Sequence, residues 1–205
     1  TYKENSIISQ LKREEIEISS CSNEVQEVWG LCKKTMELTD GAFNPWLKGF
    51  DPSGLVKGWA AQKCGEIFEK YGVENSLVNA AGDLALRGGL LKDGAVTPWE
   101  IGIRNPEIKD EIVESFKINT GAIATSGSYE KGSHIYDPFT NLIAIGARSA
   151  TVIGPDAAIA DALATALMVS GKDGAIWFSK PELKSYSVFV IERNSDQSWS
   201  ITSSS

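Results

Sequence analysis

Pro155-Asp156-Ala157-Ala158-Ile159-Ala160-Asp161-Ala162-Leu163-Ala164-Thr165-Ala166-Leu167-Met168-Val169-Ser170-Gly171 is the stretch whose reading decides the fold. Proline ahead and glycine behind bracket a helix over about Asp156 to Val169. Asp161 and Thr165 stand four residues apart, so they share one face of it. Their neighbours Ala160, Ala162, Ala164 and Ala166 are small, and small neighbours let a backbone or a ligand come close. A carboxylate beside a hydroxyl is a pair of hard oxygen donors, suited to magnesium rather than zinc. A polar helix face turned to water accounts for the same pair, so the helix alone leaves both readings open.

Outward from that helix the chain alternates between helices and short strands. Val25, Val28, Trp29, Cys32 and Met36 fall on one stripe between Ser22 and Leu38, with Ser22 as N-cap and Gly41 at the end. Asp40-Gly41-Ala42-Phe43-Asn44-Pro45 and Phe50-Asp51-Pro52-Ser53-Gly54 are dense in turn residues and predict irregular backbone. A second helix follows from about Val56 to Tyr71. Its apolar face reads as Ala60, Cys64, Ile67, Phe68 and Tyr71, and Gly72 lies just past its end. Strands are expected at 76–79 and 84–87 around an Ala81-Gly82-Asp83 turn, then at 99–104, 112–118, 122–125, 142–145, 151–154, 187–192 and 198–202. A short helix is expected near 174–178. Short strands and three helices without strict alternation predict an α+β fold with antiparallel-rich sheets flanked by helices. No linker divides the chain, so residues 1–205 read as one domain.

Composition excludes several classes. The 205 residues carry a formal net charge of −7, and Lys and Arg are scattered, which is a poor match for nucleic acid. No apolar run reaches the about 18 residues of a membrane span, and no signal-peptide pattern opens the chain. A cytoplasmic location is the expectation, with an extracytoplasmic, membrane-anchored one as the alternative where a leader precedes Thr1. Three cysteines, Cys21, Cys32 and Cys64, suggest reduced thiols, with Cys32 and Cys64 buried on helix faces.

Two further clusters carry chemistry. Asp51-Pro52-Ser53-Gly54-Leu55-Val56-Lys57-Gly58 is a turn feeding a helix, where free N–H groups and a lysine favour phosphate. A capped helix start with a surface lysine explains it equally, and the Walker spacing is absent. Thr125-Ser126-Gly127-Ser128-Tyr129 leads to His134-Ile135-Tyr136-Asp137-Pro138, which contains the single histidine. His134 beside Asp137 is a candidate acid–base pair, and a satisfied structural histidine is the competing reading. A Ser-His-Asp hydrolase through Ser126 or Ser128 lacks the Gly-x-Ser-x-Gly elbow.

Taken in order, these segments resemble the ApbE family of FAD:protein FMN transferases. The landmarks are Thr39-Asp40-Gly41-Ala42-Phe43-Asn44-Pro45, Gly54-Leu55-Val56-Lys57-Gly58-Trp59-Ala60 and Val78-Asn79-Ala80-Ala81-Gly82-Asp83. They continue with Trp99-Glu100-Ile101-Gly102-Ile103-Arg104-Asn105-Pro106, Ala124-Thr125-Ser126-Gly127-Ser128-Tyr129, His134-Ile135-Tyr136-Asp137-Pro138 and Ser149-Ala150-Thr151-Val152-Ile153, and end with Ala160-Asp161-Ala162-Leu163-Ala164-Thr165-Ala166-Leu167. The resemblance implies an ApbE-like α/β roll in which Asp161, Thr165 and the Gly54 carbonyl ligate Mg2+. It implies that Tyr2, Ala42, Phe43, Asn44, Asp51, Lys57 and Tyr136 contact FAD, the substrate, and that His134 is needed for transfer, with His134 or Asp137 as the base. FMN would pass to a Thr or Ser hydroxyl in the flavinylation motif of an acceptor flavoprotein, releasing AMP. An FAD pyrophosphatase yielding FMN and AMP, or a non-catalytic FAD-binding protein, is the alternative. The chain departs from the family pattern in lacking its N-terminal strand. It also has Lys12 where the Ser6-x-x-Ser9 motif continues to an asparagine, Asn44 where Asp is common and Ala164 where some members carry a second Asp.

Overall fold

The computed structural model describes residues 3–127, 135–193 and 199–204. Its strands are β1 (Ser76–Ala80), β2 (Asp83–Arg87), β3 (Leu90–Lys92), β4 (Ala95–Thr97), β5 (Trp99–Arg104), β6 (Ile112–Ile118), β7 (Gly121–Gly127), β8 (Ser149–Gly154), β9 (Ser187–Arg193) and β10 (Trp199–Ser204). Six of them form one sheet in the order β1-β2-β7-β8-β9-β10, every pair antiparallel. β5 and β6 form a separate hairpin, and β3 and β4 a short ribbon. The mixed helices and antiparallel sheets are the α+β class expected from the pattern.

Alternation along the strands sorts side chains by size. Leu84 and Leu86 of β2, Ile123 of β7, and Phe189 and Ile191 of β9 share one face with Ile103 of the β5–β6 hairpin. Phe116 of that hairpin meets Phe189 edge-on, ring centroids 6.0 Å apart. The opposite face carries Ala85, Ala122, Ala124 and Ala150, which are small, so helices can settle close to it.

The helices are α1 (Ile7–Lys12), α2 (Asn23–Leu38), α3 (Val56–Lys70) and α4 (Ala157–Ser170). α4 begins where the Asp156 side chain accepts the Ile159 N–H at 2.9 Å, and it stops at Gly171, whose φ of +55° suits glycine. It lies against β7 and β8, with α3 beside it on β1 and β2, and it also packs against α2. Leu163 and Leu167 are fully buried, and each contributes about 2 kcal/mol by burial alone. α2 spans its expected range, with Cys32 fully buried and its thiol pushed up to about 12 by that burial and by the charge of Asp51.

α3 corrects the sequence reading. Its buried residues are Gly58 and Ala61, while Ile67, Phe68 and Tyr71 are 50%, 43% and 84% exposed and Cys64 is exposed. Closeness, rather than hydrophobicity, chose the face: a Cβ on Gly58 would lie 2.0 Å from the Ala157 carbonyl oxygen of α4. The strand expected at 142–145 is also absent. Tyr136 and Ile143 make one isolated bridge, and Leu142 and Ile145 stay exposed on a loop. α1 was not foreseen, because six residues are too few for periodicity. The Ser6-x-x-Ser9 motif is its N-terminus, with Ser6 Oγ accepting the Ser9 N–H at 3.2 Å. The Ala81-Gly82 turn is a two-residue hairpin with φ of +54° and +101°, as the Ala80–Asp83 pairing requires.

Candidate functional site

The segment leaving α2 is held in shape by its own side chains. Thr39 Oγ1 donates to the Thr35 carbonyl at 2.8 Å and accepts the Phe43 N–H at 3.1 Å. Trp29 of α2 meets Trp46 and Phe50 at ring centroid distances of 5.0 and 4.4 Å, which pins the segment to the helix. The Pro52 carbonyl then accepts the N–H groups of Leu55 and Val56, and α3 starts. Gly54 ends up against α4: Thr165 Oγ1 donates to its carbonyl at 3.4 Å, and Ser126 Oγ of β7 lies 3.4 Å from the same hydroxyl. A Cβ on Gly54 would come within 3.1 Å of that hydroxyl and 3.2 Å of the Phe43 ring, so glycine is what lets the three groups meet. Between these walls lies a cleft of about 340 Å³, within the range of small-molecule sites.

Lys57 and Asp161 line its floor, and Asp83, which does not line the cleft, bonds Lys57. Asp161 is 1% exposed, and its Oδ2 accepts the Gly58 N–H at 3.1 Å. A carboxylate on one helix thus caps the first turn of another, where the helix dipole favours negative charge. Lys57 Nζ lies 3.3 Å from both Asp161 oxygens and also donates to Asp83 Oδ2. Asp83, 1% exposed, opens β2 on the same face as Ala85, which is the helix side of the sheet. Burial, and then the charge of Asp83, push the Asp161 carboxyl up to about 7 against the pull of Lys57 and the Gly58 N–H. Burial raises Asp83 too, opposed by Lys57. Burial works to lower Lys57, but Asp161 and Asp83 outweigh it and its shift is upward. Two carboxylates and one ammonium leave a single formal negative charge.

The oxygen atoms present fit a hard divalent cation. Among the described residues no three His, Cys, Asp or Glu side chains gather into a metal cluster. A cation here would take the Asp161 carboxylate, the Thr165 hydroxyl and the Gly54 carbonyl, and leave other positions for water or ligand oxygens, which is how magnesium is ordinarily held.

Nine of the expected residues line the cleft together: Ala42, Phe43, Asn44, Asp51, Gly54, Lys57, Tyr136, Asp161 and Thr165. Asn44 and Asp51 also hold local turns, accepting the N–H groups of Trp46 and Ser53. Asp137 is engaged elsewhere. Its carboxylate accepts the Phe139 N–H at 2.8 Å and the Thr140 hydroxyl at 2.9 Å, and so closes its own turn. Tyr2 and His134 lie outside the described residues. Sequence reasoning missed Asp83 as a site residue. Its strand parity could have placed it on the helix side, but not beside Lys57. It also missed Lys48, whose Nζ stands 3.2 Å from the centroid of the Tyr136 ring at the cleft rim.

Comparison with known proteins identifies the family and the fold. The family model described as the ApbE family matches residues 47–190. The FAD:protein FMN transferase of Vibrio cholerae is 37% identical over 134 residues, covering 60% of this chain and 39% of that protein. The FAD:protein FMN transferase of Escherichia coli K12 is 33% identical over 164 residues, covering 73% of this chain and 44% of that protein. The chain therefore spans about two fifths of the length of these curated relatives. Among solved structures, the flavin transferase ApbE of Vibrio cholerae superposes with a TM-score of 0.81 at 24% identity, covering 100% of this chain and 82% of that one. The flavinyl transferase ApbE of Pseudomonas stutzeri gives 0.77 at 22% identity, over 100% and 79%. At these identities the superpositions establish the fold.

Proposed function

Because the chain belongs to the ApbE family, we propose that it is a magnesium-dependent FAD:protein FMN transferase acting on a Thr or Ser hydroxyl of an acceptor flavoprotein. The observation that carries this reading is the meeting of Asp161, Thr165 and the Gly54 carbonyl in one cleft, with Lys57 and the start of α3 beside them.

The hydroxyl oxygen of the acceptor forms a bond to the FMN phosphorus. The bond from that phosphorus to the bridging oxygen breaks, and AMP leaves with that oxygen. Magnesium would be held by Asp161, Thr165 and the Gly54 carbonyl and would supply Lewis-acid neutralisation of the diphosphate. Lys57 adds positive potential for the phosphates. Phe43 and Tyr136 offer apolar surface in the same cleft. The hydroxyl proton would pass to His134 or Asp137; Asp137 also closes its own turn, which favours His134.

The test is incubation with FAD, Mg2+ and an acceptor protein, followed by a denaturing gel read by flavin fluorescence. Label on the acceptor is expected with the wild type, and a loss of at least about a hundredfold with Asp161→Ala. Equal labelling by that variant contradicts the metal role. AMP release without label, whether or not acceptor is present, makes the site an FAD pyrophosphatase instead.

A further inference from the structure

Asp161 is already occupied. The Gly58 N–H holds its Oδ2, and the Lys57 ammonium lies 3.3 Å from both oxygens. A divalent ion approaching Oδ1 therefore meets a cation in its way. The same ammonium also donates to Asp83, a carboxylate as deeply buried as Asp161 and the nearer of its two partners. Lys57 itself is one third exposed at its side chain, so it reaches both carboxylates from the cleft side. Nothing in the proposed transfer requires Asp83 to touch substrate or metal.

We propose that Lys57 is the resident cation of the Asp161 site in the metal-free protein, and that Asp83 is a positioning residue that keeps its ammonium when a divalent ion displaces it from Asp161. The inference rests on the magnesium reading above and deepens it. With Lys57 shared, the site holds one net negative charge and binds a bare divalent ion weakly. With Lys57 held by Asp83 alone, Asp161 Oδ1 is open to the ion while Oδ2 keeps the Gly58 N–H.

Divalent binding by the FAD-free protein tests this without any transfer reaction. Mn2+ is the probe, titrated by electron paramagnetic resonance against wild type, Lys57→Met, Asp83→Asn, the double variant and Asp161→Ala. Removing a unit charge a few ångströms away predicts an affinity change of about tenfold. Lys57→Met tightens Mn2+ binding about tenfold, and Asp83→Asn weakens it well beyond tenfold, because it loses its own charge and also leaves the ammonium to Asp161 alone. In the Lys57→Met background the Asp83→Asn change costs only the about tenfold of its own charge, because there is no ammonium left to position. Equal costs in the two backgrounds would show that Asp83 acts as a plain charge and overturn the positioning role. No tightening in Lys57→Met, while Asp161→Ala abolishes binding, overturns the resident-cation role and leaves the magnesium reading standing. Unchanged binding in Asp161→Ala removes the magnesium reading and this inference with it. Near-wild-type circular dichroism of each variant, together with the opposite signs of the two single changes, separates these outcomes from misfolding.

Discussion

α3 and α4 touch along the floor of the cleft, and they are built by opposite rules. α4 is buried by size: Leu163 and Leu167 are inaccessible, and alanines fill the space between them. α3 is buried by the absence of size, through Gly58 and Ala61, and it leaves Ile67, Phe68 and Tyr71 in solvent. Each helix brings a charge to the other. The Gly58 N–H reaches Asp161, and Lys57 follows one residue before it. The lesson is that a helix lending a site its first turn is placed by how near its backbone must come, and its hydrophobic side can then be left over.

That contrast can be broken by changing size in both directions. Leu163→Ala on α4 should cost about 3 kcal/mol by leaving a cavity, and Gly58→Ala on α3 about 2 kcal/mol or more by forcing the helices apart. Thermal denaturation of both variants checks the pair. If Gly58→Ala is neutral, the close approach of the helices is not what places Lys57. Gly58→Ala should also weaken FMN transfer, because it moves the residue next to Lys57.

The charges sharpen the comparison through pH. Asp161 is raised to about 7 from an ordinary carboxylate value near ~4, so in the metal-free protein the folded state holds a proton there that the unfolded chain has lost. Stability is therefore greatest at the acid end of that window and falls as pH rises from about 4 through 7. Asp83 shifts the same way, and the upward shift of Lys57 acts only in alkali. Melting temperatures without divalent ions should drop by several degrees between pH 5 and pH 8. Asp161→Asn should flatten that slope, and an unchanged slope would contradict the placement of the charge.

Thr165→Val should leave folding nearly intact but lower transfer about tenfold, through loss of one oxygen donor. Smallest of all, Phe68→Ser or Tyr71→Ser on the exposed side of α3 should change stability by no more than about 0.5 kcal/mol. A larger loss would mean that this face is covered after all.

Much of the layout was legible in the chain. The Trp99–Arg104 strand alternates cleanly, both it and Ile112–Ile118 end at turn residues, and α4 is bracketed by Asp156 and Gly171, so local signals sufficed. That Asp161 and Thr165 share one face followed from helical spacing, while their role as a metal pair came from the family resemblance. What could not be read was relative placement. Nothing in the 56–71 segment says that its glycine side faces another helix, and an apolar stripe that faces solvent looks like one that faces a core. The Leu142–Ile145 run has strand composition, but Asp137 closes a turn that leaves it only one bridge. Asp83 was visible as part of a turn motif, yet its pairing with Lys57 depends on how β1 and β2 lie against α3, a long-range fact.

The central claim is that oxygen atoms from α4 and the Gly54 bend together hold a divalent ion against a dinucleotide diphosphate. Anomalous diffraction from a crystal soaked with Mn2+ and FAD tests it most directly. The account predicts one metal peak within about 2.0–2.6 Å of the Asp161 carboxylate, the Thr165 hydroxyl and the Gly54 carbonyl, touching the diphosphate. A peak elsewhere, or FAD bound with its diphosphate away from Asp161 and Lys57, would contradict it.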